Sequence, residues 1–245
     1  MADLGHDRFA KRRVHGKIYR MHEQPSAEDV HAGQRVYTRR VLSAYDLLVL
    51  GLSCRFIWRC PKALMLANYD RNVGARHVEF GVGTGYLLDH CRMGPEPSVT
   101  LVDLNPEALD TAAARIARYR PVKVRADVLD RVPLDDASAD SLALNFLLHC
   151  VPGTWEQKDA VFANAARIVR PGGRIFGSTI LAAGVPRRWP APALMGLYNR
   201  KGIFHNATDD LAGLTDRLSE RFDDVTVNVH GCVAVFGATA RFAPV

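Results

Sequence analysis

Three closely spaced glycines, followed at intervals by two aspartates and an asparagine, form the stretch of this chain best suited to chemistry. Glu79 and Phe80 lead into Gly81-Val82-Gly83-Thr84-Gly85, and Asp103 follows Gly85 by eighteen residues, at the end of Val99-Thr100-Leu101-Val102. Asp127, within Arg125-Ala126-Asp127-Val128, and Asn145, within Asn145-Phe146-Leu147-Leu148-His149, close two further apolar runs. Glycine at alternate positions lets backbone pass beneath a ligand with no Cβ in the way. A carboxylate beyond the next parallel strand reaches a ribose. The chemistry implied is a cradle for a ligand that carries adenosine. A dinucleotide turn requires glycine at its first, third and sixth positions. The sixth here is Tyr86, and Glu79 would repel a diphosphate.

Such groups need a frame to hold them. The β-branched run ending at Glu79 reads as a strand, the glycines as a tight turn, and Tyr86-Leu87-Leu88 as a helix start. A turn at Glu96-Pro97-Ser98 leads into a second strand, and Pro106 opens a helix over about 107–119 that Pro121 stops. A third strand at 122–124, a fourth at 141–144, a helix at 155–169, the turn Arg170-Pro171-Gly172-Gly173 and a fifth strand at 174–179 follow. Beyond them, Pro186-Arg187-Arg188-Trp189-Pro190-Ala191-Pro192 reads as an insertion too irregular for the core. A helix at about 209–222 and a hairpin of strands 225–229 and 232–238 complete the chain. Upstream, apolar residues at 41, 42, 45, 48, 49 and 52 have helical spacing, and residues 63–68 read as another short helix. The expected divisions are a flexible basic arm over 1–30, a helical cap or lid over 31–70, and a main domain over 71–245 with a substrate-side insertion at 181–206.

The segment 78–85 resembles the first motif of the class I S-adenosylmethionine-dependent methyltransferases, whose donor joins an adenosine to an amino acid through a cationic sulfur. Asn145 and its neighbours resemble the family's fourth motif, and Arg170-Pro171-Gly172-Gly173 resembles its signature before strand five. The motifs run in family order over residues 76–180. The order is similar to that of the small-molecule branch, which includes the ubiquinone- and menaquinone-type enzymes. The resemblance implies an α/β fold: a doubly wound, seven-stranded Rossmann-like sheet with strand seven antiparallel and an α-helical N-terminal cap. It implies S-adenosylmethionine as cofactor and S-adenosylhomocysteine as product. The cofactor residues would be Glu79, Gly81, Val82, Gly83, Thr84, Gly85, Asp103, Leu104, Asp127, Val128, Asn145 and Phe146, with Asp127 at the adenine amino group. The methyl acceptor is then an oxygen, nitrogen or carbon of a small, partly aromatic or apolar molecule of secondary metabolism. Tyr37, Tyr45, Trp58, Arg59, His149, Tyr198, Asn199 and Phe204 are the candidates to enclose it. His149 and Tyr198 are the candidates to take its proton, with His149 at the mouth of the donor site.

Composition narrows the partners. At 245 residues, 48% hydrophobic and 24% charged, the chain suits one globular α/β domain with an appended lid. Residues 47–52 form the longest apolar stretch, too short to span a bilayer, so no membrane span and a cytoplasmic location are expected. Cys54, Cys60, Cys91, Cys150 and Cys232 are odd in number and unpaired in spacing, which suggests reduced thiols and no metal site. Of the net charge of +6, the first twenty residues contribute +4, from six basic side chains against two acidic ones. The remaining +2 leaves the body nearly balanced. A small-molecule acceptor and, at most, a second copy in a homodimer are the expected partners, and nucleic acid is not. The rival readings are a nucleic-acid methyltransferase using the basic arm, and a related fold catalysing a non-methylating reaction. The former lacks support at Asn145, where Phe146-Leu147-Leu148 replaces the proline-proline-aromatic run of many enzymes that methylate amino groups of nucleic acids.

Overall fold

The computed structural model describes residues 53–242, together with the backbone of 12–14 and 17–19. Its centre is a seven-stranded sheet: β1 (Arg76–Phe80), β2 (Ser98–Asp103), β3 (Val122–Arg125), β4 (Ala139–Asn145), β5 (Val169–Ile180), β6 (Phe222–His230) and β7 (Val233–Ala240). The spatial order is β3-β2-β1-β4-β5-β7-β6. The first five strands run parallel, and β7 is antiparallel to both β5 and β6. The order reverses between β1 and β4, the point at which open α/β sheets bind ligands beyond their carboxyl edges.

Alternate side chains of each central strand enter two cores. On one face Leu101, Ala143 and Phe176 pack with α1 (Lys62–Asn72), α2 (Tyr86–His90), α3 (Pro106–Arg115) and α5 (Ala191–Arg200). On the other, Phe80, Leu142 and Ile175 pack with α4 (Trp155–Ile168) and α6 (Leu211–Arg221). Local signals fix the helix starts. Asn105 caps α3 by accepting from the Glu107 amide at 2.9 Å, with Pro106 at its first position, where a missing N–H costs nothing. Thr154 and Gln157 form a capping box on α4, and Asp210 caps α6.

Several expectations need correction. The proline-rich stretch after strand five is not all irregular. Pro190 and Pro192 bracket the first turn of α5, where proline is tolerated, and Ala191 and Met195 are buried. Strand five begins at Val169, which pairs with Ala139, and a register shift takes up Arg170–Gly173 before Ser141 meets Arg174. Helix α1 is longer than 63–68 and crosses the boundary expected at 70. It buries Met65, Asn68, Tyr69 and Asn72 against β5 and β7, so it belongs to the sheet's own layer. Asn68 Nδ2 donates to the Phe236 carbonyl at 2.9 Å, fixing that docking. In the basic arm, Arg12–Val14 and Lys17–Tyr19 form a short antiparallel pair. The rest of the arm and residues 31–52 of the cap, Tyr37 and Tyr45 included, lie outside the described residues. All five cysteines are free thiols, and four are buried.

Candidate active site

Gly81, Gly83 and Gly85 all have positive φ, at 69°, 52° and 71°, which explains why glycine stands at each. A Cβ on Gly81 would lie 2.8 Å from Leu147 Cδ1, and one on Gly85 would lie 3.1 Å from the Ala112 backbone. Gly83 differs. A Cβ there would meet nothing within 4 Å, because the residue faces an open cleft. That cleft, of about 190 Å³, runs along the carboxyl ends of β1, β2 and β4, and Glu79, Asp103, Asp127 and Asn145 line it.

Asp103 is held by backbone. Its Oδ2 accepts from the Val82 amide at 3.0 Å and its Oδ1 from the Asn105 amide at 2.8 Å. Burial raises the carboxyl to about 6 against the opposing pull of these amides. Asp127 is fixed likewise, accepting from the Leu129 amide at 2.9 Å. At the tip of β4, Asn145 Oδ1 accepts from Ser178 Oγ at 2.9 Å, while its Nδ2 is buried with no hydrogen-bond partner. Phe146 follows at φ 52°, a left-handed conformation that turns its ring along the cleft wall.

Glu79 is 4% exposed and engaged from behind. The Tyr69 hydroxyl donates to both carboxylate oxygens, at 2.7 and 2.6 Å, and burial together with the Glu79 charge keeps that phenol protonated. His77 Nε2 lies 3.1 Å from Oε2, and its Nδ1 lies 2.8 Å from Ser141 Oγ, which in turn accepts from the Gly74 amide. Among the described residues no lysine or arginine bridges Glu79. A buried carboxylate without a permanent cation costs several kcal/mol unless a cationic group joins it.

These features suit one kind of ligand. The Asn145 amide nitrogen, the side-chain-free space above Gly83 and Glu79, which no lysine or arginine bridges among the described residues, fit an adenosine that bears a cationic amino-acid arm. Comparison with known proteins agrees. A family model described as a methyltransferase domain matches residues 78–175. Demethylluteothin O-methyltransferase of Streptomyces thioluteus is 42% identical, over 86% of this chain and 92% of its own. The chain belongs to the class I S-adenosylmethionine-dependent methyltransferases. The Physcion biosynthesis cluster O-methyltransferase of Aspergillus chevalieri is 34% identical to this methyltransferase, over 87% of this chain and 97% of its own. Among solved structures, an O-methyltransferase family protein from Burkholderia thailandensis shares the fold at a TM-score of 0.62 and 18% identity, across 87% of this chain and 64% of that one. The methyltransferase is an enzyme of small-molecule methylation that uses S-adenosylmethionine. No helix among its described residues is long and apolar enough to cross a membrane.

The remaining candidates fall into two groups. Trp58, Phe146, His149, Tyr198 and Phe204 come together although they are far apart in sequence. The Phe204 ring centroid lies 4.5 Å from His149, 5.0 Å from Tyr198 and 5.8 Å from Trp58, and Phe146 lies 5.7 Å from His149. Phe146 belongs to both this cluster and the cleft wall. Arg59 and Asn199 stand apart. Arg59 is exposed at φ 59°, beside the Gly231 turn. Asn199 spends its amide on the Met195 carbonyl and Asn206 Oδ1.

His149 was expected at the mouth of the donor site, and the structure places it beneath the wall instead. It is 3% exposed, and Nδ1 makes only long contacts, at 3.4 Å to the Ile180 amide and 3.5 Å to Thr179 Oγ1. Burial first, and the Lys158 charge second, lower its pKa to about 3. Among the cleft residues that the sequence reading did not name are Tyr69, which arrives from α1, and Leu147, whose side chain fills the space beside Gly81. A tyrosine on the buried stripe 65-68-69-72, ten residues before an acidic strand end, was the available signal for Tyr69.

Proposed function

We propose that the enzyme transfers a methyl group to the oxygen of a small, partly aromatic hydroxylated molecule. The observation carrying this reading is the aromatic cluster packed behind Phe146, the one member of it that lines the glycine-lined cleft. Both curated relatives described above are named as O-methyltransferases. S-adenosylmethionine supplies, when bound, an electrophilic methyl on a sulfonium whose leaving group is neutral. The protein's part is to bind, orient and exclude water. Asp103 would take the ribose hydroxyls, Asp127 the adenine amino group, and Glu79, Gly81, Val82, Gly83, Thr84, Gly85, Leu104, Val128, Asn145 and Phe146 would enclose the remainder. Trp58, Tyr198 and Phe204 would hold the acceptor ring through edge and face contacts, each worth about 0.5–1.5 kcal/mol beyond area burial.

His149 is assigned as a positioning residue rather than a base. An imidazole with a pKa of about 3 binds a proton too weakly at neutral pH to take one from a hydroxyl. Tyr198, half-buried at the cluster's edge, is the side chain left to contact the reacting hydroxyl, and the proton of an acidic, phenol-like hydroxyl is released to solvent water as the oxygen takes the methyl. The test is incubation with methyl-labelled S-adenosylmethionine and matched probes, 1-naphthol and 1-naphthylamine, read by mass spectrometry. Methyl ether formation on the naphthol is expected. Methylation of the amine alone, or of added RNA, would overturn the reading.

A further inference from the structure

A charged pair sits where none is needed for binding the donor. Lys158 lies on the buried stripe of α4, among Trp155, Val161, Phe162 and Ala165, and both it and Asp209 are 0% exposed. The ammonium approaches Asp209 Oδ1 at 2.8 Å, Asp209 Oδ2 at 2.6 Å and the His205 carbonyl at 3.1 Å. It also lies 5.4 Å from the Trp155 ring centroid. Burial pushes Lys158 down and Asp209 up, each opposed by the other's charge. Replacing such a pair by apolar residues of similar size is often neutral or stabilising, so net stability does not account for it.

Its geometry supplies another account. His205 is tethered at both ends of its backbone: its amide donates to the His149 carbonyl at 2.7 Å and its carbonyl accepts from Lys158. The Asp209 carbonyl accepts from the Ala182 and Ala183 amides, at 2.8 and 3.1 Å, and Asn206 Nδ2 donates to the Ile180 carbonyl at 2.9 Å. The loop between α5 and α6 is thereby stitched to the segment leaving β5. Phe204, the hub of the aromatic cluster, is the residue immediately before His205.

We propose that Lys158 and Asp209 are positioning residues that set acceptor specificity: their ion pair fixes the loop that carries Phe204 and ties it, through the His205 amide, to the backbone of His149. This rests on the reading of the aromatic cluster as the acceptor side. The pair touches neither Asp103 nor Glu79, so the proposal expects donor affinity to change little when it is removed.

The experiment compares the wild-type enzyme with Lys158→Met/Asp209→Leu, which removes both charges and leaves neither one buried alone. Three quantities are read: the tryptic cleavage rate after Arg200 and Lys201, both exposed near the start of the loop, relative to the cut after exposed Arg92; the Kd for S-adenosylhomocysteine by calorimetry; and KM and kcat for 1-naphthol. In the double variant the loop cut is expected to be about tenfold faster, which corresponds to about 1.4 kcal/mol of easier local opening. The Kd should stay within about twofold, and KM should rise about tenfold with kcat within about threefold. Lys158→Met alone strands a carboxylate and is expected to lower the thermal midpoint more than the double change does. Unchanged loop cleavage in the double variant overturns the proposal. So does faster cleavage accompanied by an equal loss of S-adenosylhomocysteine affinity, which means general loosening. Absence of naphthol turnover in the wild type counts against the O-methylation reading, and the loop cleavage then decides the present proposal by itself.

Discussion

Four polar groups on the donor side of the site stand at or close to a strand end: Glu79 at β1, Asp103 at β2, Asp127 two residues past β3 and Asn145 at β4. The proposed acceptor side draws Trp58 from ahead of α1, Phe146 and His149 from the turn after β4, Tyr198 from α5 and Phe204 from the loop after it. The donor is the same molecule for every member of the family, so short side chains and backbone at fixed strand ends suffice to hold it. An acceptor differs from enzyme to enzyme, and the wall proposed for it is assembled by tertiary packing of large side chains. The two halves should therefore respond separately to substitution.

The largest effect is expected at Phe204, which is buried at the centre of three ring contacts. Phe204→Ala leaves a cavity and should lower stability by about 3 kcal/mol or more, read from denaturant unfolding. It should raise the acceptor KM while the folded fraction keeps its affinity for S-adenosylhomocysteine. Loss of donor affinity in parallel would show that the two halves are one.

Asp103→Ala is the converse and smaller change. Hydrogen bonds to a charged group are worth about 1.5–3 kcal/mol each, so donor Kd should rise at least about tenfold, with acceptor KM unchanged at saturating donor. Calorimetry giving an unaltered Kd would remove Asp103 from the donor site and with it the assignment of the cleft.

The same division explains what could be read from the sequence. The strand ends were legible because a glycine run, an acidic residue after an apolar run and an asparagine after another are local signals, each within a few residues of the group it positions. The proposed acceptor wall was legible only as a list of aromatic residues. Nothing local says that Phe204 lies 4.5 Å from His149, or that Asn199 is spent inside its own helix and loop. Helix α5 was hidden by Pro190 and Pro192, which read as breakers although both fall where a helix start tolerates them. Lys158 left a faint mark, since a lysine within the apolar stripe 155-158-161-162-165 is almost never buried unless paired. Its partner Asp209 is 51 residues away and could not be identified from spacing.

The smallest effect concerns pH, and it too should divide the halves. An ordinary aspartate has a pKa near 3.8, and burial raises that of Asp103 to about 6 in the free enzyme. Raised pKa means that the folded protein favours the neutral acid, so Asp103 opposes stability once pH exceeds the unfolded value and does so fully above about 6. Ribose hydroxyls donating to the carboxylate favour the charged form instead. Donor affinity should therefore be flat above pH 7, fall about twofold on reaching pH 6, and keep falling below that as the acid protonates. His149, neutral throughout this range with its pKa of about 3, should contribute nothing to the profile. Asp103→Asn keeps the shape of the side chain and removes the titration, so its weaker binding should be level between pH 5.5 and 8 within about a factor of two. If S-adenosylhomocysteine binding to the wild type shows no decline between pH 7 and 5.5, Asp103 is not the ionised ribose partner. If the decline survives in Asp103→Asn, Asp103 is not its source.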